Sequence, residues 1–341
     1  MKSGFYLIFC SLIFVCCSKD EKAGLYDFIQ VPFGFDKPKI PADNELTEDR
    51  IKLGKLLFYD KLMSRDTSLS CASCHKPELA FTDGLPKSVG IDGKFVMRNA
   101  STLTNVIYNP YLLSEGGVPT LEQQILVPIM EHNEFDTNIL ILAERLNNRK
   151  DIIDLSLKAY GRPPDPYVIT RAIAAFERTI ISGNSLFDNY LRNSELFSPK
   201  QYLGSTLFFS ERTNCSSCHS GVLFTNFHFE NNGLYVNYDD EGRKRLTGKD
   251  KDEALFKVPT LRNISVTAPY MHDGSFQNLR QVIEHYNKGG AGHHNQSKLV
   301  KPLHLTEYEK ECLIEFLNTL TDTEYLSAKK YRMYPINFCK Y

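Results

Sequence analysis

The stretches that decide the fold are CASCH at residues 71–75 and CSSCH at residues 215–219. Each holds two cysteines three positions apart, and a histidine follows the second cysteine directly. In this pattern the two thiols form thioether bonds to the vinyl groups of a haem, and the histidine reaches the iron. The sequence therefore predicts two covalently bound c-type haems. The residues assigned to them are Cys71, Cys74, His75, Cys215, Cys218 and His219.

Two other uses of paired cysteines explain these stretches less well. A structural zinc site needs its four ligands gathered in one place, whereas these motifs lie in different halves of the chain. A thioredoxin-like redox pair lacks the histidine that follows both motifs. Haem attachment is the interpretation that uses all three residues of each motif.

The surroundings of the two motifs also repeat along the chain. The pair LG at 53–54 and again at 203–204 precedes a motif, and the pair FT at 81–82 and again at 224–225 follows one. Apolar residues recur at helical spacing, and strand signals are sparse. A chain of 341 residues is long enough for two domains. We expect a mostly α fold with two cytochrome-c-like helical domains and long loops, over residues 47–183 and 184–325, followed by a tail over 326–341.

The beginning of the chain is typical of an export signal. An apolar run over residues 5–15 is too short to span a bilayer, and it ends at Cys16 and Cys17. This pattern resembles a lipoprotein signal peptide over residues 1–16, whose removal leaves Cys17 acylated at the mature N-terminus. An uncleaved anchor helix is the alternative. We expect an exported protein, lipid-anchored to a membrane facing the periplasm or the cell surface, with residues 17–46 as tether and lead-in.

Composition and charge narrow the possible partners. The formal net charge is −1, which gives no basic surface for nucleic acid, so we expect no nucleic-acid partner. Outside the signal and the two motifs, Cys312 and Cys339 remain. An oxidising exported compartment allows these two to pair as a disulfide, and the sequence leaves the pairing open. The chain contains no tryptophan.

From residue 47 to about 320 the chain resembles the bacterial di-haem cytochrome c peroxidase and MauG family. The matching stretches are LGKLLF at 53–58, SCASCH at 70–75, FTDG at 81–84, RNASTL at 98–103, LEQQ at 121–124 and YMHDGS at 270–275. The resemblance implies that the N-terminal domain is the peroxidatic haem domain. It also implies that the C-terminal domain carries the haem that receives electrons.

At the N-terminal haem, the resemblance implies a glutamate that takes a proton from one peroxide oxygen and returns it to the other. This residue corresponds to Glu134, with Gln124 as a catalytic neighbour and Pro128 beside it, and Glu131 is the alternative. Many family members carry a histidine that blocks the iron, and its place here is Ile91. Because isoleucine cannot bind iron, we expect an open haem in the fully ferric state unless the loop supplies another ligand.

At the C-terminal haem, the resemblance implies Tyr286 as the second iron ligand, at a place where peroxidases have methionine and MauG-like proteins have tyrosine. Met271 is the competing ligand. A phenolate oxygen would lower the potential relative to a thioether sulfur. His272 resembles a histidine that supports the haem propionates and the route between the haems, and a plain buried histidine is the alternative.

The tryptophan that lies between the haems in this family corresponds to Ser114. Serine cannot relay an oxidising hole, so transfer between the haems is expected to use Tyr108, Tyr111 or the haem edges. The family also binds one calcium ion between the haems. The matching ligands are the side chain of Asn99 and the backbone carbonyls of Thr267 and Pro269, and oxygen ligands suit calcium.

One further pair of histidines, His293 and His294, lies in a glycine-rich loop. We expect both to be solvent-exposed, with weak potential to bind a metal.

The resemblance implies an enzyme that reduces hydrogen peroxide to water. Its electrons would come from a small redox donor protein, a cytochrome c or a cupredoxin, through the C-terminal haem. A MauG-like oxidase acting on a protein or organic substrate is one alternative, which Tyr286 and Ile91 favour and Ser114 disfavours. A non-catalytic di-haem electron carrier is the other, and Ile91 disfavours it. The oligomeric state stays open, with a homodimer among the options.

Overall fold

The structure is a computed structural model that describes residues 27–333. The signal peptide, Cys17 and Cys339 lie outside the described residues, so the lipid anchor and the pairing of Cys312 with Cys339 stay predictions. Within residues 27–333, every helix is too short or too polar to traverse a bilayer.

Short helices joined by long loops build the described part of the chain, and the predicted mostly helical fold is confirmed. The helices of the first half are α1 (Glu48–Tyr59), α2 (Cys71–Cys74), α3 (Leu121–Gln124), α4 (Leu126–Met130), α5 (Ile139–Leu146), α6 (Lys150–Tyr160) and α7 (Pro166–Glu177). Those of the second half are α8 (Leu186–Leu191), α9 (Pro199–Phe208), α10 (Cys215–Cys218), α11 (Lys244–Thr247), α12 (Leu279–Lys288), α13 (Glu307–Asn318) and α14 (Thr323–Ser327). Strands β1 (Phe229–Glu230) and β2 (Phe256–Lys257) pair antiparallel.

Each half is built on one tightly crossing pair of helices. In the first half α1 packs on α7, and in the second half α9 packs on α13. A Cβ atom added to Gly54 would lie 1.8 Å from the carbonyl oxygen of Ala172, and one added to Gly204 would lie 1.9 Å from that of Cys312. Only glycine permits two backbones to approach so closely. The repeated Leu-Gly pair of the sequence is therefore the contact point of each helix pair.

The hydrophobic cores repeat as well. Phe58 packs edge-on against Phe176 in the first half, with ring centroids 5.1 Å apart, and Phe208 lies at the same 5.1 Å from Phe316 in the second. The phenylalanine of the repeated Phe-Thr pair completes each set. Phe81 lies 6.0 Å from Phe58, and Phe224 lies 5.9 Å from Phe208.

The helix starts follow their sequence signals. Thr47 caps α1, since its side chain accepts a hydrogen bond from the backbone N–H of Arg50. Thr306 and Glu309 form the predicted capping box at the start of α13.

The end of the described chain differs from the expected tail over residues 326–341. Tyr331 is buried in the core of the first half, where its ring lies 5.8 Å from that of Phe81. Its hydroxyl donates to the carbonyl of Thr179 at 2.9 Å. Because Tyr331 is buried and hydrogen-bonded there, residues 323–331 pack against the N-terminal half.

The joint between the halves is held by one buried carboxylate. Asp322 accepts hydrogen bonds from the hydroxyl of Ser182 and from the backbone N–H groups of Gly183 and Asn184, at 2.9–3.0 Å. Its second oxygen accepts from the backbone N–H of Tyr325 and caps α14. A single side chain therefore ties the linker to the returning C-terminal segment.

Candidate active site

Both Cys-x-x-Cys pairs form a single helical turn, α2 and α10, with the histidine as the residue that ends it. The backbone N–H of His75 donates to the carbonyl of Cys71 at 2.9 Å, and that of His219 donates to Cys215 at the same distance. No disulfide links the four cysteines of the two motifs, which leaves each of them available for a thioether bond to haem. Each turn thus presents two attachment cysteines and one imidazole.

Backbone carbonyls fix the orientation of both imidazoles. Nδ1 of His75 donates to the carbonyl of Phe81 at 2.9 Å, and Nδ1 of His219 donates to that of Phe224 at 3.1 Å. Both phenylalanines adopt positive φ, 61° and 52°, which turns their carbonyls toward the rings. Because a carbonyl can only accept, the proton sits on Nδ1 and the lone pair of Nε2 is free for iron. Burial lowers the pKa of both histidines and favours this neutral form.

A cavity opens beside the first motif. Its walls include the two cysteines and the imidazole of that motif together with a largely apolar set of side chains. The lining residues are Met63, Leu69, Ser70, Cys71, Cys74, His75, Gly90, Val96, Leu103, Gln124, Ile125, Pro128, Ile129, Glu134, Phe135 and Glu177. Oε2 of Glu177 is buried without a hydrogen-bond partner among the described residues. The apolar walls and the three attachment residues together fit a haem.

The structure brings Glu134, Gln124 and Pro128 to this cavity. Glu131 lies outside the cavity lining and is exposed. Burial, with a contribution from the nearby Glu131 charge, raises the pKa of Glu134 to about 7. A carboxyl that is half-protonated near neutral pH can both accept and donate a proton, which is what peroxide cleavage requires.

The loop that carries Ile91 packs against the segment of Glu134. Ile91 is 1% exposed, and its backbone N–H donates to the carbonyl of Glu134 at 3.2 Å. Gly90 and Val96 of this loop line the cavity. Among the described residues that line it, His75 is the only histidine.

In the second half, Tyr286 lies on α12 among the buried residues that pack on α13. Its electrostatic neighbours include Cys215 and Cys218, and burial raises its pKa to about 12. The side chain of Asn232 bonds to Tyr286 and also donates to Sδ of Met271 at 3.1 Å. Both candidate iron ligands therefore lie beside one asparagine, which the sequence alone did not single out.

His272 lies where the two halves meet. Its carbonyl accepts from the backbone N–H of Asn99 at 2.8 Å, and its ring stacks on Phe256 with centroids 4.3 Å apart. Burial lowers the pKa of His272. The side-chain amide of Asn99 donates to the carbonyl of Leu85 at 2.8 Å, which leaves its side-chain oxygen for a cation.

Ser114, which stands at the tryptophan position, and the two tyrosines expected on the route between the haems each make different contacts. The carbonyl of Ser114 accepts from the backbone N–H of Lys257. Tyr111 stacks on Phe229, with ring centroids 5.3 Å apart. Tyr108 packs edge-on against Phe35, and its hydroxyl is buried without a hydrogen-bond partner among the described residues.

The expectation for His293 was wrong, whereas His294 is exposed as expected. His293 is 5% exposed because its ring packs edge-on against Tyr238 and its Nδ1 accepts from the side chain of Asn231 and the backbone of Asn295. The carboxylate of Glu253 lies close enough to both histidines to share a metal ion. However, the two donors occupy the lone pair of Nδ1 and place the ring proton on Nε2, so neither ring nitrogen of His293 is free for a metal in this arrangement.

Comparison with known proteins decides the family. The model of the di-haem cytochrome c peroxidase family matches residues 48–196. The methylamine utilization protein MauG of Methylorubrum extorquens is 33% identical over 82% of this chain and 80% of its own. The chain belongs to the di-haem cytochrome c peroxidase and MauG family.

Two further relatives come from both branches of this family. The cytochrome-c peroxidase IdrP1 of a Pseudomonas species is 32% identical, covering 84% of each chain. The crystal structure of a MauG-like protein associated with microbial copper homeostasis is 31% identical with a TM-score of 0.85, covering 88% of this chain and 97% of the other. This chain is therefore an oxidoreductase of a family that carries two haem c groups.

One residue of the first haem pocket escaped the sequence analysis. Glu177 ends α7 and is 4% exposed, and burial raises its pKa to about 8. A signal was present, because Ile169, Ile173 and Glu177 follow at intervals of four on one helix face. An acid in register with two core isoleucines could have been predicted to face a cavity.

Proposed function

We propose that this di-haem protein reduces hydrogen peroxide to water at its N-terminal haem, with electrons that a small redox protein delivers through the C-terminal haem. One observation carries the proposal. Glu134 shares the cavity of His75, and its pKa of about 7 suits the transfer of a proton in either direction.

The haem would supply an iron that binds peroxide and accepts its oxidising equivalents. His75 would hold the iron through Nε2, since its Nδ1 donates to the carbonyl of Phe81. Glu134 accepts a proton from one peroxide oxygen and returns it to the departing one. Gln124 lines the same cavity and can orient the substrate through its amide. The apolar walls exclude water, which keeps the proton on this route.

The decisive test compares two glutamates three positions apart. Glu134→Gln removes the proton-accepting oxygen in the cavity, while Glu131→Gln changes an exposed neighbour and is the matched control. We expect the first variant to lose about 10²–10⁴-fold in peroxide turnover with both haems still bound, and the second to keep its turnover. Steady-state peroxide reduction and haem absorbance measure the two quantities. Unchanged turnover in Glu134→Gln would show that Glu134 is not the residue that transfers the proton.

A second experiment examines the consequence of Ile91. Because isoleucine replaces the blocking histidine, we propose that the fully ferric protein reacts with peroxide without prior reduction. Stopped-flow absorbance of the ferric protein, and of a sample with one haem pre-reduced, should show equally fast reactions. A reaction that occurs only after pre-reduction would mean that another side chain binds the iron of the ferric protein. Met63, which lines the cavity, would then be the first residue to replace by mutation.

A MauG-like oxidase acting on a protein or organic substrate is the second candidate. The burial of Tyr286 beside Cys215 and Cys218 favours it, because a phenolate ligand stabilises oxidised iron. In that case the oxidised state that one molecule of peroxide produces in the protein would persist long after mixing. Rapid decay in the absence of any donor would favour the peroxidase.

We also propose the accessory features that the sequence predicts. Acylation of Cys17 would anchor the exported protein to a membrane, and Cys17→Ala should move it to the soluble fraction.

Calcium would bind between the haems through Asn99, Thr267 and Pro269. Loss of bound calcium in Asn99→Ala, measured by metal analysis, tests this site, and sedimentation tests whether the chain forms a homodimer.

A further inference from the structure

Five aromatic rings form a continuous path near His272. The ring of His272 stacks on Phe256, and Tyr238 lies 5.7 Å from His272 on another side. Tyr235 follows at 5.4 Å from Tyr238 and 6.4 Å from His272. The fifth ring is His293, which meets Tyr238 edge-on. This path begins in the region where the two halves meet and ends at the surface.

The inner end of the path reaches the proposed second haem pocket. Tyr238 is among the electrostatic neighbours of Tyr286, the candidate iron ligand. Asn232 bonds to Tyr286 and belongs to the same loop as Tyr235 and Tyr238. The carbonyl of Asn232 also bonds to Nε2 of His285 at 2.9 Å, and the ring of His285 lies 5.2 Å from that of Tyr286. The loop therefore contacts the pocket through groups close enough for an electron to cross.

The outer end is a tyrosine with its own base. Tyr235 is 38% exposed, and its hydroxyl donates to Oδ2 of Asp273 at 2.6 Å. A phenol loses an electron readily only when its proton has somewhere to go. Oδ1 of the same carboxylate accepts from the backbone N–H of Ser275 at 3.1 Å, so Asp273 is held in place with Oδ2 ready to receive the phenolic proton.

We propose that Tyr235, with Asp273 as its base, is a surface relay at which electron-rich aromatic donors, such as phenols or phenolic side chains of a protein, deliver single electrons. The inference rests on the proposed reaction with peroxide, which supplies the oxidant. Because the chain contains no tryptophan, tyrosines are its most readily oxidised aromatic side chains. Tyr235 combines exposure, a base and contact with the ring path.

Hydrogen peroxide takes up two electrons and two protons and leaves as two water molecules. Tyr235 supplies one of these electrons, and its phenolic proton moves to Asp273, which leaves a neutral tyrosyl radical. The phenolic donor then gives one electron to Tyr235, the proton returns from Asp273, and the donor releases its own phenolic proton to solvent as it becomes a phenoxyl radical. A second donor molecule supplies the second electron and proton in the same way, so the two protons released to solvent equal the two that peroxide takes up.

The test traps the radical on the haem-loaded protein. Peroxide is added to the ferric protein with a nitroso spin trap and no donor, and peptide mass spectrometry locates the adduct. We expect the adduct on Tyr235, its loss in Tyr235→Phe and a weaker signal in Asp273→Asn. The matched control is Tyr308→Phe, which changes an exposed tyrosine far along the chain near Lys200 and should keep the adduct.

The outcomes separate this inference from the proposed function. Haem absorbance is recorded in the same mixture. If peroxide changes neither haem spectrum, the proposed peroxidase function fails. If the spectra change and peroxide is consumed but no adduct forms on Tyr235, the relay is wrong while the peroxidase function stands. Equal rates of phenol oxidation by the wild type and Tyr235→Phe would also overturn the relay.

Discussion

Two carboxyls, the half-buried Glu134 and the buried Glu177, share the wall of one cavity, and they differ in what surrounds them. Glu134 sits on a loop that ends beside exposed Glu131, whereas Glu177 sits at the end of a helix that is buried along its length. Desolvation favours the protonated form of both. The first can therefore exchange protons during turnover, and the second stays neutral at pH 7.

Glu177 makes the stability of the protein depend on pH. Its pKa in the fold is about 8, above the ordinary value of 4.5, so the folded chain keeps a proton that the unfolded chain releases. Stability is therefore lost as pH rises from about 4.5 to about 8. We expect Glu177→Gln to melt above the wild type at pH 8 by more than at pH 5. Thermal unfolding of the haem-loaded protein at both values measures this.

The control for that comparison is Glu144→Gln, which changes an exposed glutamate on α5. Its melting temperature should follow the wild type at both pH values. Glu134 also contributes to the pH dependence of stability, but it is present in all three proteins, so its contribution cancels in the comparison. An equal gain for Glu177→Gln at pH 5 and pH 8 would contradict the linkage.

At the scale of single residues, motif spacing predicts the attachment cysteines and the histidines that follow them, because covalent chemistry fixes the spacing of those residues. It was insufficient for His293, whose burial comes from Asn231, Tyr238 and Asn295 on other turns of the chain. Burial of a loop histidine depends on contacts that no local pattern contains.

At the scale of elements, the two halves use one plan: a glycine crossing, three phenylalanines and a single-turn Cys-x-x-Cys helix. The repeat was visible in the sequence as Leu-Gly and Phe-Thr pairs. The partners of those pairs were not visible, because α7 and α13 carry different residues, Ala172 and Cys312, at the crossing points. Backbone atoms make these contacts, so side-chain identity gives no signal.

The glycine crossings predict large effects of one methyl group. Gly54→Ala or Gly204→Ala would place a Cβ within 2 Å of a carbonyl oxygen, so the helices must separate. We expect a loss of about 1–3 kcal/mol or more in the free energy of unfolding for each. Lys52→Ala, an exposed change on α1, should stay within about 0.5 kcal/mol of the wild type. Denaturant unfolding measures all three, and a neutral Gly54→Ala would contradict the close crossing.

At the scale of the whole molecule, Asp322 joins the linker, α14 and the returning C-terminal segment. It is 3% exposed and accepts four hydrogen bonds from residues 182–184 and 325. The return of the chain to the first half could not be predicted from the sequence, because Tyr325 and Tyr331 pack against Phe81, more than a hundred positions earlier. Only long-range contacts reveal such a path.

Asp322→Asn tests the importance of this joint. The amide has one accepting oxygen in place of two, so N–H groups of the linker lose their partner in the interior. We expect unfolding to become easier by about 2–3 kcal/mol. Asp239→Asn, an exposed change, is the control. Calorimetry that finds equal stability in both variants would show that the joint is held by other contacts.

The hydrogen bonds from His75 and His219 to the carbonyls of Phe81 and Phe224 have a consequence for substitutions. Because the acceptors are main-chain atoms, no side-chain replacement deletes them while the local backbone persists. A substitution that retunes either haem without unfolding the chain must therefore change other side chains of the two pockets, such as Gln124 beside the first motif and Asn232 beside the proposed ligand Tyr286.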